Sequence, residues 1–241
     1  MSSEQLTFGQ TAPILRKLAG LPIVLIGGQA LNCWCEIYQL DEAALGGTLP
    51  TSKDVDFQAD DAALYQSANR LAGSVVKAKN SLQFLGYVLF DSGTGDVRID
   101  FLAFPTGLTS DAVSALAIPV PFADEVEVRV MHPIHCMISR IENLRADPEK
   151  YGTEHALGQL HASILCARAY LRARIASGNI RGALDDAEAI FAYCREKSAL
   201  AAYKSVQADP LLAIPDCGMP ENFYRIRLPQ IQAAIAALRD A

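Results

Sequence analysis

The spacing of apolar residues changes character near residue 131, and that change restricts the chain to a sheet-forming front followed by helices. Before it, short alternating or β-branched runs recur between helical stretches. After it, Ile134–Leu144, Glu154–Ser177, Ile180–Lys197 and Leu228–Arg239 are rich in Ala and Leu at helical spacing, with no competing strand run. In the last of these, Pro229 suits the first helical position. The expectation is an α/β (α+β) fold: a mixed β-sheet with flanking helices over residues 1–131, then a helical bundle domain over 132–241. With 241 residues, 51% hydrophobic and 20% charged, the chain has the composition of a globular protein and length enough for a substantial core.

Within the front half, residues 8–19 carry Ile14, Leu15 and Leu18 at helical spacing and close at Gly20. Ile23–Ile26, bounded by Pro22 and Gly27, reads as a short buried strand, and Gln29–Leu40 as a helix starting just past the glycines. Residues 41–52 read as a loop. Val55 and Phe57 alternate with Asp54 and Asp56, which is strand patterning. Asp60 and Asp61 can cap a helix over about 61–74. Phe84–Phe90 and Val97–Phe104 form a hairpin through the turn-rich Asp91–Asp96, and Glu125–Val130 adds a strand expected at the sheet edge.

A net charge of −6 argues against a surface coated for nucleic acid, which needs clustered Lys and Arg, though a local basic face stays open. The apolar runs fall short of the roughly 18–20 residues of a membrane helix, so no membrane partner is expected. Met-Ser-Ser-Glu-Gln lacks the regions of a signal peptide. Six scattered cysteines without CxxC spacing then read as reduced, packed thiols of a cytoplasmic protein.

The chemistry resides in five residues: Gly27 and Gly28 after an apolar run, Asp54 and Asp56 in Ser52-Lys-Asp-Val-Asp-Phe57, and Asp100 in Val97-Arg-Ile-Asp-Phe-Leu102. On a strand, residues two apart share a face, so Asp54 and Asp56 would present paired carboxylates while Val55 is buried. Like charges so close need a neutralising cation. Three converging carboxylates suit Mg²⁺ first and Mn²⁺ second. Residues without side chains let backbone amides opening a helix approach phosphate. Taken singly, Gly-Gly is a turn, Asp-x-Asp a solvated loop or cap, and an Asp in a β-run an edge gatekeeper. Their order carries the argument.

That order resembles the polymerase-β-like nucleotidyltransferase superfamily, whose motif runs Gly-Gly or Gly-Ser, a helix, Asp-x-Asp, then an acidic residue on a later strand. Gly27-Gly-Gln-Ala-Leu31 and Thr51-Ser-Lys-Asp-Val-Asp-Phe57 look most like the abortive-infection nucleotidyltransferases, toxins of type IV toxin–antitoxin pairs. The resemblance covers residues 20–105; the helical half matches only in layout, and the Gly28–Asp54 gap exceeds the minimal motif. It implies that Asp54 and Asp56 bind both metals and the NTP, that Asp100 binds the acceptor-side metal and takes a proton, and that Gly27 and Gly28 hold the triphosphate. Ser52 would add a phosphate hydrogen bond. Lys53 and Arg140 join the nucleotide-binding set, Lys53 with a solvated lysine as its competing reading. The implied reaction moves an NMP from an NTP to a hydroxyl of RNA, protein or a small molecule, in a cleft between the two halves, and implies an antitoxin protein as partner. A regulatory protein without turnover and an aminoglycoside-type transferase are the alternatives.

Other features weigh less. His132-Pro-Ile-His135-Cys136 invites a zinc reading, but no second ligand cluster exists, and capping with packing accounts for it better. Arg168, Arg172, Arg174 and Arg181 form the most basic stretch, with a solvated face as the default and an RNA rim as the alternative; Glu142 or Glu154 would favour a cationic acceptor instead. Arg98 shares the parity of Asp100, so it either lines the cleft or pairs with a carboxylate. Cys33 and Cys35, which frame Trp34, read as packed.

Overall fold

A computed structural model describes residues 11–41, 43, 45, 54–93, 95–122 and 126–240. In chain order it runs α1 (Ala12–Leu18), β1 (Val24–Ile26), α2 (Gly27–Ile37), β2 (Val55–Gln58), α3 (Asp61–Leu71), β3 (Ser74–Lys77), β4 (Phe84–Asp91) and β5 (Asp96–Leu102). Then follow α4 (Ser110–Leu116), β6 (Ile118–Phe122), β7 (Val126–Val130), α5 (Pro133–Ala146), α6 (Pro148–Tyr151), α7 (Glu154–Ala176), α8 (Ile180–Tyr193), α9 (Lys197–Val206) and α10 (Leu228–Asp240). These residues form two compact units, one within Met1–Ile37 and Pro50–Cys136, the other within Tyr38–Leu49 and Met137–Ala241. The division thus falls inside α5, and a piece of the expected loop goes with the helical unit.

The first unit holds a seven-stranded mixed sheet in the order β3-β4-β5-β2-β1-β7-β6. β2 runs antiparallel to β1 and parallel to β5, while β1 and β7 are parallel. The alternation read in the sequence sets the faces. Val55, Phe57, Ile99 and Phe101 are fully buried on one face, with the Phe57 and Phe101 rings stacked 5.8 Å apart. Asp56 and Asp100 therefore point to the other. Two residues on from Asp56, buried Gln58 donates from Nε2 to Ser110 Oγ at 2.6 Å, tying β2 to the start of α4.

Four expectations are corrected here. The helix expected over 61–74 stops at Leu71, because Ala72 turns left-handed (φ +53) and Gly73 lies where a side chain would strike β4. Ser74–Lys77 is instead an edge strand, mostly exposed. The strand Val126–Val130 is interior rather than an edge, since β6 covers it; β6 has Pro119 and Pro121, tolerable because an edge strand has an unpaired side. The helix over 180–197 ends at Tyr193, and Lys197 opens α9. Pro229 does not open a helix either. A π-helical turn over Phe223–Arg227 runs straight into α10, its wider bonding accommodating a proline that cannot donate to the residue four back.

In the second unit α7 and α8 pack with the 3₁₀ turn Pro210–Ala213, burying Ile164, Leu171, Ile190 and Phe191, and the Phe191 and Phe223 rings stack at 6.1 Å. Arg239 of α10 forks onto Asp209, donating from Nη1 at 3.0 Å, with its Cζ 3.6 Å from the Tyr203 ring centroid. Five of the six cysteines are buried free thiols, as their scatter implied; Cys217 is exposed. No described helix is long and apolar enough to cross a membrane.

One tie of α2 to the residue after β7 is polar. Trp34, the only tryptophan, is buried and donates from Nε1 to the Met131 carbonyl at 2.8 Å. Trp34→Phe keeps an aromatic ring but leaves that carbonyl with only the weak Cys136 thiol donor, so it is expected to cost about 1–3 kcal/mol in urea denaturation followed by circular dichroism.

Candidate active site

β1 passes into α2 without a connecting loop, and Gly27 makes the turn. Its φ of +66° is one that side-chain-bearing residues rarely adopt, and an added Cβ there would lie only 3.0 Å from Asp56 Cγ, with the nearer carboxylate oxygen overlapped outright. The glycines are thus the first turn of α2 itself, not residues preceding it, and Gly28 is buried. The amides of that turn have no carbonyls one turn back to bond, which is why helix starts accept anions.

Register brings the acids together. Ile26 pairs with Asp56 across β1 and β2, Asp56 with Asp100 across β2 and β5, and Asp100 with Tyr87 across β5 and β4. Asp56 and Asp100 therefore lie side by side on one face of adjacent parallel strands, roughly 4.8 Å apart in backbone spacing. Asp54 stands apart: β2 begins at Val55, so Asp54 occupies the bend leading into it and is exposed.

Among the described residues, Arg98 brings a cation to the site. It donates to Asp100 from Nε at 2.6 Å and from Nη2 at 3.1 Å, while its Cζ lies 4.2 Å from the Tyr87 ring centroid. The hydrogen bond to Asp100 raises the guanidinium above its usual range against the opposing effect of desolvation, and the charge of Asp54 also reaches it. Of the two readings for Arg98, pairing with a carboxylate is the one observed. Tyr87 had a signal in the sequence: the hairpin register set by the Asp91–Asp96 turn runs unbroken to its pairing with Asp100, and the bulge between Phe84 and Gly86 lies beyond it.

The donor set fits a hard divalent cation in kind: carboxylate oxygens only, two of them in register. It is not a finished cage. Among the described residues no group of three or more His, Cys, Asp or Glu side chains could hold a metal ion, and Arg98 already engages both oxygens of Asp100.

No protein family matches the chain, and no curated protein does. The geometry is what speaks for the site. Ser52 and Lys53 lie outside the described residues. Arg140 is half-buried on α5, in the second unit. Behind the glycine turn, Gln29 and Asn32 are buried polar residues on the buried, otherwise apolar part of α2, with Asn32 Nδ2 donating to Gln29 Oε1 at 3.4 Å. That interruption of an apolar face was the available signal for them.

The competing features resolve into structure. Arg168 and Arg172 both pair with Asp216, at 3.3 and 2.9 Å; Arg174 pairs with Asp186 at 2.6 Å and Arg181 with Asp185 at 3.2 Å. Each arginine of the basic stretch therefore has a carboxylate partner, with Arg168 and Arg172 sharing one. Glu142 is likewise engaged, by Arg145 and by the Tyr193 hydroxyl, each at 3.0 Å. His132 Nδ1 accepts from the Ile134 amide at 3.3 Å and Cys136 Sγ donates to the Met131 carbonyl at 3.5 Å, which is capping rather than zinc binding.

His135 is buried with its Nδ1 unpartnered among the described residues, and burial lowers its pKa. The unfolded chain then binds more protons than the folded one, so stability is full above the unfolded value of about 6.5 and falls as pH drops through it. Thermal melts between pH 7.5 and 5.5 are expected to show this decline, with a shallower slope in His135→Leu.

Proposed function

We propose that the first unit is a metal-dependent nucleotidyltransferase, moving an NMP from an NTP to an acceptor hydroxyl with release of pyrophosphate. The observation that carries this reading is the close approach of the Gly27 turn to Asp56, with Asp100 beside it in register. A turn with no room for a side chain, set against a carboxylate, is what a triphosphate and its counter-ion require and what a purely structural β–α junction does not. Asp56 and Asp100, with Asp54 from the adjoining bend, would hold Mg²⁺ or Mn²⁺. When bound, such an ion neutralises the triphosphate and polarises the reacting phosphorus. The amides opening α2 at Gly27 and Gly28 bind phosphate oxygens, and Asp100 accepts the proton of the attacking hydroxyl. The remaining contribution is orientation.

The acceptor stays within RNA, protein and small molecules, and the paired arginines of the second unit add nothing in favour of RNA. A toxin paired with an antitoxin protein is the biological role that accompanies this reading. A regulatory protein without turnover is the second reading, favoured by the Arg98 fork, which already neutralises Asp100. Incubation with each α-labelled NTP, Mg²⁺ and total RNA or cell extract separates them. Labelled product that vanishes on chelation supports the enzyme; no label transfer, together with no Mg²⁺-dependent NTP binding, rejects it.

A further inference from the structure

We propose that Arg98 is an exchangeable counter-cation: it holds Asp100 in the resting site, gives it up when a divalent ion is offered, and then engages the triphosphate. This rests on the nucleotidyltransferase reading. Asp56 and Asp100, side by side on adjacent strands, repel each other unless a positive charge is near. Arg98 supplies one, using both oxygens of Asp100 in a planar fork. A hard cation needs those same oxygens, so the arginine and the ion compete for Asp100.

The two partners differ in their freedom to move. The Arg98 side chain is 51% exposed and Asp100 only 20%. Asp100 ends a short side chain on a strand paired on both sides, whereas the Arg98 guanidinium, 4.2 Å from the Tyr87 ring centroid and 5.9 Å from that of Phe84, is carried on a long flexible stem. Once released, its guanidinium matches phosphate oxygens better than a point charge would, and it remains two residues from Asp100. The exchange would make metal and triphosphate binding mutually reinforcing, since each removes an obstacle to the other.

Mn²⁺ titration of the full chain, read by water proton relaxation without nucleotide, tests the first half. Arg98→Gln is expected to bind Mn²⁺ about fivefold tighter than the unsubstituted protein, the competition expected of a half-exposed ion pair. With Mn²⁺ present, the same variant is expected to bind inorganic tripolyphosphate several-fold more weakly. Arg98→Lys, which keeps the charge without the fork, is expected to restore most of the tripolyphosphate affinity. Unchanged Mn²⁺ affinity in both Arg98 variants, while Asp56→Asn still weakens it, overturns the exchange and leaves the enzyme reading standing. Mn²⁺ binding indifferent to Asp56→Asn removes both. Circular dichroism of each variant verifies that the sheet is intact.

Discussion

Asp56→Asn is expected to lower metal-dependent label transfer by roughly a thousandfold, the scale seen when preorganised charge is removed from a reacting centre. Asn keeps the size and planarity of the side chain, so the Gly27 turn still fits against it. What it removes is the negative charge that sits between β1 and β5 and beside Asp100. The same change is expected to alter thermal stability little, because Asn keeps the shape of the side chain and an oxygen that accepts hydrogen bonds. A large loss of activity without a matching loss of stability distinguishes a site built around charge from a residue kept for folding. Activity within tenfold of the unsubstituted protein, or a clear fall in melting temperature, would count against the role assigned to Asp56.

Gly27→Ala is expected to act through geometry alone. At φ +66° an alanine carries a backbone penalty of about 1–2 kcal/mol, and its methyl group would displace the Asp56 carboxylate. A misplacement of that order at a reacting centre costs about a hundredfold in rate, so activity falls well beyond what the loss of stability explains. Gly158 is the control. It lies within α7 with nothing near its absent Cβ, and Gly158→Ala is expected to stabilise by up to about 1 kcal/mol without touching activity. Denaturation curves and initial rates on the two variants check both statements; an active Gly27→Ala protein would show that the close approach is not needed.

Where a run of residues alternates cleanly, the fold could be read directly. β2, β5 and β7 alternate in this way, while β1 was legible as a short buried apolar run between Pro22 and Gly27, and β4 as the partner of β5 across a turn-rich connector. β3 and β6 escaped because edge strands are under weaker constraint. Ser74–Lys77 is mostly exposed, and Ile118–Phe122 carries two prolines that would argue against any central strand. The position of β7 was misjudged for a different reason. Its parallel partner β1 lies about a hundred residues away in sequence, and no local pattern records which distant strand a given strand will join.

The same division runs through the site. Local sequence alone determined that Gly27 and Gly28 stand between a strand end and a helix, and that Asp56 and Asp100 face away from Val55, Phe57, Ile99 and Phe101, because strand parity is a property of neighbouring residues. Tertiary structure alone decided that Asp56 pairs with Asp100 in register, that Asp54 falls on the bend outside β2, and that Arg98 chooses Asp100 while resting on Tyr87. It decided equally that Arg168 and Arg172 meet Asp216 and that Arg174 meets Asp186, whereas Arg181 and Asp185 are neighbours one turn apart on α8. Register and ion pairing arise when separate segments settle against one another to bury their apolar faces, and the partner each polar group finds is a consequence of that packing rather than of its sequence neighbours.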